Sequence, residues 1–298
     1  FEEEKPYDEV LQQWLDEGKE IVSSSEVSLN VEDVRVQAEN PDVISIAMMF
    51  PANDRTSALS EPQDPAVIKY NILDVNTVNQ YARYKVNVPK SGLYKISVRF
   101  RQNGLIGLFS SRRIRVNGEV QFREASFCRF MYDTGFQVTP LNDGEHDYFL
   151  FYLEEGENEI EFEVVLGELY QFVNDIKTTI ADLEEAYSTL LMITGATPDS
   201  SRDYGFSRLC PEVLNTLAKS AVTLHDISDR IVEMTGETGD QQQALEMYAQ
   251  LFETMAKDEY TIADNFVTLK NYTISLSNWL YTALTQPLKM DYFQVQCA

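Results

Sequence analysis

The last strand-like run of the chain stands alone. Leu288-Lys289-Met290-Asp291-Tyr292-Phe293-Gln294-Val295 reads as a strand, yet it follows a long stretch of helical pattern. A single strand leaves its backbone N–H and C=O groups unsatisfied unless it joins a sheet. The run therefore has to return to strands far upstream. Everything helical between Gly167 and Pro287 is then an insertion between the last two strands rather than a domain appended to the end.

The upstream strands are carried by alternation. In Tyr84-Lys85-Val86-Asn87-Val88 every second side chain is apolar, and after Pro89-Lys90-Ser91-Gly92 the pattern resumes as Tyr94, Ile96, Val98 and Phe100, interleaved with Lys95, Ser97, Arg99 and Arg101. Period two with one apolar face predicts a hairpin of a half-buried sheet. Arg113 to Val116 repeats the pattern and stops at Asn117-Gly118, the dipeptide best suited to a tight hairpin turn. These segments are expected to be neighbouring antiparallel strands of a sandwich. Val27, Leu29 and Val31 alternate as a first strand, Val43 to Phe50 gives another apolar segment, and Ala66 to Leu73 a further strand. Tyr148 to Leu153 reads as a buried central strand. Glu154 to Asn158 turns it into Ile160, Phe162, Val164 and Leu166, with Glu159, Glu161 and Glu163 facing solvent.

Loops punctuate these strands. Pro51 to Pro65 and Asp74 to Gln80 are rich in Pro, Asn, Asp, Ser and Thr, and the first is long enough to be a binding loop. Glu119 to Gly144 holds Phe122, Phe127, Phe130, Tyr132 and Phe136, which reads as a rim or as a plug under the sandwich, the plug being the commoner use of such aromatic density.

Helical periods occupy the rest. Val10, Leu11, Trp14 and Leu15 mark a short amphipathic helix that packs onto the body, before the polar Ser23-Ser24-Ser25 link. From Leu169 to Leu191 apolar residues recur every three or four positions, and three more such segments open at Pro211, at Asp240 with Gln243 as a capping box, and near Thr261. Short links make this an antiparallel four-helix bundle. The organisation expected is an N-terminal helix and linker at 1–26, a β-sandwich over 27–167 plus 287–298, and a helical insertion over 168–286.

Charge excludes two classes of partner. With 24 Lys and Arg against 48 Asp and Glu among 298 residues, the net charge is 24 − 48 = −24, a field that repels phosphate backbones and anionic headgroups. Neither nucleic acid nor direct membrane insertion is expected, since no apolar run reaches the roughly 18 residues of a membrane helix. No secretory signal stands at Phe1, so the piece is expected to be soluble with a trimmed start. The 3 cysteines are scattered and the 2 histidines sit in no metal or triad spacing. Glu154 and Glu155 share a turn with like charges and no apolar pocket, so they make a poor acid–base pair. The chain is expected not to be an enzyme.

Several of these segments resemble a known fold. Val31-Glu32-Asp33, the Val-Pro-x-x-Gly-x-Tyr-x-Ile stretch from Val88 to Ile96, Val116-Asn117-Gly118, Gly156-x-Asn158-x-Ile160 and the final Met290-Asp291-Tyr292 are similar to galactose-binding-like jelly-roll carbohydrate-binding modules. Over nearly the whole chain, Asp54-Arg55-Thr56-Ser57 with Glu61-Pro62, Arg99 to Asn103, Met192 to Gly195 through Pro198-Asp199, Arg202-Asp203-Tyr204 and Gln286-Pro287-Leu288 resemble the accessory domain of large extracellular solute-binding proteins of bacterial ABC importers, mostly from Firmicutes. The tryptophan usual in that pattern is missing around Asn76 to Tyr84.

The resemblance implies a fold, two sites and a role. The fold is a β-sandwich jelly-roll, galactose-binding-domain-like, with a four-helix antiparallel bundle inserted before the last strand. A structural calcium would take Asn30, Glu32 and Asp291, since calcium wants six to eight oxygens and one strand offers only alternate side chains. The other reading of these residues is solvated polar groups on an edge strand. A sugar needs an aromatic face and planar hydrogen-bonding side chains, which Tyr81, Arg101, Gln102, Asn103, Phe109, Arg129, Tyr132 and Phe136 offer, or else these are aromatic packing and surface arginines. Arg99, Arg101, Arg112 and Arg113 would form a patch able to attract a uronic acid. The role implied is a non-catalytic, extracellular, cell-surface accessory domain that binds carbohydrate. The alternative is an interaction module docking the solute-binding lobes or another surface protein.

Overall fold

The computed structural model describes residues 4–25, 27–45, 51, 52, 54, 72–74, 76–236 and 238–298, without the side chains of Val31, Glu32, Pro51 and Ile72. Most of the expected binding loop Pro51 to Pro65, the segments 46–50 and 66–71, and Arg55-Thr56-Ser57 with Glu61-Pro62 lie outside the described residues. The chain forms two compact units: Phe1–Leu105, Phe109–Gly167 and Thr285–Ala298 make one, and Ile106–Leu108 with Glu168–Leu284 make the other.

Among the described residues the first unit contains helix α1 (Tyr7–Asp16), the single turn α2 (Val31–Val34) and the strands β1 (Arg35–Gln37), β2 (Val43–Ile44), β3 (Pro51–Ala52), β4 (Ile72–Asp74), β5 (Tyr81–Val88), β6 (Gly92–Arg101), β7 (Phe109–Val116), β8 (Cys128–Met131), β9 (Gln137–Pro140), β10 (Leu150–Leu153), β11 (Gly156–Val165) and β12 (Lys289–Gln296). One antiparallel sheet runs β10-β6-β12-β4-β3, with β1 added on β12 and β9 on β6; the other runs β2-β5-β11-β7-β8. From β4 to β7, and again from β10 to β12, each strand lies in the sheet opposite its predecessor. That winding is the jelly-roll.

Face-to-face packing of the two sheets follows from the alternation. Tyr84 and Phe162 of the second sheet each place their rings 5.3 Å from Phe293 of the first. Tyr94, Ile96, Val98 and Phe100 of β6 are buried beside them. The terminal strand does return: β12 pairs antiparallel with β6 from Lys289 to Gln296, and also with β1 and β4.

Its expected neighbour is corrected. Residues 27–30 form no strand, because the Asn30 carbonyl accepts the N–H groups of Asp33 and Val34 and turns the chain into α2. The partner of β12 is Arg35–Gln37 instead. Nor is Tyr84 to Phe100 a hairpin. The turn after Val88 carries the chain from one sheet to the other, and β6 starts against the 20–22 segment, whose Glu20 carbonyl accepts the Leu93 N–H at 2.8 Å. Glu154 to Asn158 crosses between the sheets in the same way.

Two burial expectations also change. β10 is buried but, among the described residues, is an edge strand paired with β6 alone. The edge is protected by α1, whose Tyr7 hydroxyl accepts the Leu150 N–H at 3.0 Å and whose Trp14 lies 6.4 Å from the Tyr152 ring. Glu161 does not face solvent: it is 3 % exposed, bridged on one side by Arg83 and on the other by Arg115. Cross-strand register puts Arg83 and Arg115 directly opposite it. Asn117-Gly118 makes the expected tight turn, with φ of 52° and 85°.

The aromatic segment divides. Phe122 and Phe130 are buried, Phe122 packing on Tyr7, Phe149 and Phe151, whereas Tyr132 and Phe136 stay half-buried at the surface.

The second unit holds α3 (Leu169–Thr194), the single turn α4 (Phe206–Leu209), α5 (Pro211–Thr235), α6 (Asp240–Lys257) and α7 (Thr261–Leu284). Side-chain pairs show that α3 and α5 are antiparallel, Asp182 meeting Lys219 and Phe172 meeting Arg230. His225 with Glu246 and Ser228 with Gln242 show the same for α5 and α6. Tyr187 of α3 stacks on Phe266 of α7 at 4.7 Å. Pro211 occupies the first turn of α5, and Gly236 ends it in the left-handed region at φ 73°. The capping box at Asp240 is not formed. Asp240 is already the first helical residue, and Gly239, which has no side chain to cap with, precedes it.

Candidate functional site

Strand register gathers the candidate residues at one end of the sandwich. The short turn between β5 and β6 puts the start of β5 at the same end as the finish of β6, and Lys289 and Gln137 stand opposite Arg101 and Phe100. Phe109 at the start of β7 faces Met131 at the end of β8. Tyr81, Arg101 to Asn103, Phe109, and the 131–136 loop therefore share this end.

Their side chains have different fates. Gln102 is fully buried: its carbonyl side-chain oxygen accepts the N–H groups of Gly104 and Leu105 at 2.9 and 2.8 Å, and its backbone carbonyl accepts the Asp133 N–H at 2.8 Å. It shapes the loops and offers nothing outward. Phe109 is fully buried and Arg129 nearly so, stacked on it at 5.0 Å. Tyr81 is half-buried on the other sheet under the Arg83 guanidinium at 4.8 Å. Asn103 is exposed and Tyr132 half-exposed, on loops held together by the Gln102–Asp133 bond.

Arg101 belongs to a denser cluster. Its side chain is only 11 % exposed and pairs with the buried Asp54, which Lys289 also approaches at 3.6 Å. One turn of the strand away, Arg99 pairs with the buried Asp291 of β12. Both guanidiniums lie on the ring of Phe136, at 4.6 Å for Arg99 and 5.1 Å for Arg101. Burial pulls Arg99 below its ordinary pKa, with Tyr292 opposing that shift. A cation this desolvated needs a compensating charge, which Asp291 supplies.

This pairing gives Asp291, one of the three residues expected to hold calcium, a protein cation as its partner. Asp291, 1 % exposed, is engaged by Arg99, and its backbone carbonyl accepts the Ala38 N–H at 2.8 Å. Asn30 is exposed and its carbonyl caps α2, while the Glu32 side chain lies outside the described residues. Among the described residues no group of three or more His, Cys, Asp or Glu is placed to hold a metal ion. A donor set of several oxygens is what calcium requires, and Asp291, engaged by Arg99, is poorly suited to join one.

The expected arginine patch is likewise dispersed. Arg99 and Arg101 face outward from the first sheet, and Arg113 lies on the second beside Glu163 at 3.3 Å. Arg112 is fully buried, donating to the carbonyls of Ser111 and Gln286 at 2.8 and 2.9 Å. Period two explains the split, since neighbours in one strand point to opposite faces. The same rule puts Lys95, Ser97, Arg99 and Arg101 of β6 on one outward face with Gln294 and Gln296 of β12, a row that no sequence motif marks.

Residues 171–286 match the family model described as the four-helix bundle domain of bacterial solute-binding proteins. No curated protein matches the sequence. Among solved structures the chain is similar to a family 35 carbohydrate-binding module from Clostridium thermocellum, at 22 % identity over 44 % of this chain and 85 % of that one, with a TM-score of 0.32. It is also similar to a ruminal GH26 endo-β-1,4-mannanase (16 % identity, 47 % of this chain, 25 % of that one, TM-score 0.30) and to a Podospora anserina GH26-CBM35 β-(1,4)-mannanase (12 %, 45 %, 25 %, 0.28). The chain thus spans a quarter of the length of each mannanase.

Proposed function

We propose, starting from the match of residues 171–286 to the helical domain of bacterial solute-binding proteins, that the chain is a non-catalytic, extracellular accessory domain of an ABC-importer solute-binding protein, and that its jelly-roll binds carbohydrate. The observation that carries the ligand reading is the half-exposed Phe136 ring, held by two guanidiniums that are themselves neutralised by Asp54 and Asp291. Asn103, exposed, and Tyr132, half-exposed, stand on adjoining loops and offer hydrogen-bonding side chains. A fixed aromatic surface with a few planar polar groups beside it suits a pyranose ring. Glu154 and Glu155 remain exposed on their turn, which supports the non-catalytic reading. A glycan array probed with the chain and with its Asn103→Ala/Phe136→Ala variant tests this. Binding lost in the variant is expected, and no binding by the parent chain overturns it.

A second reading has its own observation. Val267, Ile274 and Tyr281 are 61, 51 and 74 % exposed and recur every seven residues along α7, and Tyr260, 63 % exposed, stands in the turn just before it. Only Asp264 and Lys270 on that helix carry charge, although the whole chain is at −24. A charge-poor, tyrosine-bearing stripe of this kind suits protein docking. Ile274→Glu would abolish co-elution with the solute-binding lobes if the stripe docks them, and unchanged co-elution overturns that reading.

A further inference from the structure

A cleft of about 430 Å³ opens on the outward face of the first sheet beside the C-terminal half of β12, with Ser24, Ser28, Leu29, Lys95, Gln294 and Gln296 in its wall. It lies away from the Phe136 loops, which adjoin the other end of β12. Register makes its polar side a small lattice. Lys95 stands directly opposite Gln296, and Gln294 lies between Ser97 on β6 and Arg35 on β1.

The hydrogen bonds orient this lattice. Arg35 donates from Nε and Nη2 to the side-chain oxygen of Gln294 at 3.0 and 2.7 Å. A guanidinium only donates, so the Gln294 amide has its oxygen toward Arg35 and its NH2 group left to donate elsewhere. Ser97 donates to the side-chain oxygen of Gln296 at 2.7 Å, and in this arrangement the second amide also has its NH2 group turned away from that bond. Two residues apart on one strand, the two amides are about 7 Å apart. Lys95 has no carboxylate partner among the described residues, its ammonium lying 5.2 Å from the Tyr148 ring centroid. Among the described residues of the cleft there is no Asp or Glu; Glu26, which falls between the wall residues Ser24 and Val27 in sequence, lies outside the described residues.

We propose that this cleft binds a small ligand through a carboxylate group, with Lys95 as counter-charge and the amides of Gln294 and Gln296 as donors. An ammonium and two NH2 groups on one wall present donors without fixed acceptors. A neutral polyol, which gives and takes hydrogen bonds in equal measure, is a poor match; a carboxylate only accepts. The cleft is a second site on the sandwich and rests on the proposal only so far as the sandwich is the ligand-binding unit. An acidic sugar and an acidic amino acid carry the same group, so the experiment separates them.

Calorimetric titration of the full chain at low salt uses sodium glucuronate, sodium glutamate and neutral glucose. Saturable binding of one of the carboxylates is expected, at least tenfold weaker in Lys95→Met and in Lys95→Gln, the second of which keeps a donor and removes the charge. Both variants alter an outward-facing side chain, so the melting temperature should hold. Glucuronate alone would identify a sugar acid, and glutamate alone an amino acid. The Asn103→Ala/Phe136→Ala variant should bind the same carboxylate as the parent chain does, so loss of the loop-end site leaves this one standing. Absence of binding by both carboxylates, equal affinity for glucose, or carboxylate binding unchanged in both Lys95 variants overturns the proposal; an array signal lost only with Asn103 and Phe136 would at the same time leave the carbohydrate reading intact.

Discussion

Arg99 of β6 pairs with Asp291 of β12 although the two are not register partners. Tyr292 takes the position opposite Arg99, and the ladder shifts between Met290 and Tyr292, so Asp291 sits in a bulge that turns its carboxylate onto the guanidinium. The pair places an internal cation where the sequence motif suggested a metal. Calcium at millimolar-order concentration, above the range of the weaker extracellular sites, should leave the melting temperature unchanged. Asp291→Ala should cost about 3 kcal/mol, because it strands a mostly buried arginine. Removing both partners should cost less than the two single losses added, which a double-mutant cycle measured by urea unfolding would report.

The attachment of α1 should depend on pH through His146. Burial pulls its pKa down, but the hydrogen bond and charge of Asp143 and the charge of Asp8 on α1 outweigh that and hold it above its ordinary value. His146 Nδ1 lies 3.0 Å from Asp143, and Nε2 lies 3.5 Å from Asp8. A histidine whose folded pKa is raised contributes stability that is complete below its unfolded value of about 6.5 and is lost as pH climbs through the folded value. Melting temperature should therefore decline modestly from near pH 6 toward pH 8, and His146→Gln should flatten that slope. Asp143 acts in the opposite direction at the acidic end, since bonds from the His146 and Glu145 N–H groups outweigh its burial and lower its pKa.

The terminal strand should be indispensable to the sandwich. It lies inside the first sheet between β6 and β4, with Met290, Phe293 and Val295 at most 1 % exposed. A chain ending at Pro287 would open both neighbouring strands and the core beneath them, so its circular-dichroism melt should lose the sandwich transition. Phe293→Ala, which empties the space between Tyr84 and Phe162, should cost about 3–5 kcal/mol.

Alternation and helical period made the strands, the helices and the return of β12 legible, because both are local patterns that burial then enforces. Which strands pair was not legible in the same way. A turn such as Pro89 to Gly92 serves a hairpin or a crossing between sheets equally well, and only the packing of Gly92 against Glu20 and Val22 distinguishes them: a Cβ there would come within 2.5 Å of the Val22 side chain. Site residues were harder still. Gln102 looks like a binding amide in the sequence, yet its side-chain oxygen accepts two N–H groups of its own loop and its NH2 donates to the Leu105 carbonyl. Asp54 and Arg101 lie 47 positions apart, and nothing local announces their pairing. The outward row of Lys95, Ser97, Gln294 and Gln296 was visible as alternation but carried no motif to draw attention to it.

Arg101 and Asn103 should separate structure from ligand recognition. They are two residues apart, and the sequence offers both as surface groups for a sugar. Arg101 is largely buried, and its loss would take the guanidinium from the Asp54 carboxylate, 7 % exposed as a residue, while Lys289 stays at 3.6 Å. Arg101→Ala should accordingly destabilise the sandwich by about 2–3 kcal/mol, in the range for losing one member of a buried charge pair that retains a second cation. Asn103 is exposed, so Asn103→Ala should fall within about 0.5 kcal/mol of the parent chain. In glycan binding the order reverses: Asn103→Ala, with or without Phe136→Ala, should weaken retention on the array at temperatures where both proteins are folded. An Arg101 variant that stays folded should keep most of its binding, since its guanidinium is spent on Asp54 and Phe136. If Asn103→Ala binds as the parent does while folded Arg101→Ala loses binding, the ligand reaches through to the guanidiniums, and Phe136 is a lid over them rather than the platform.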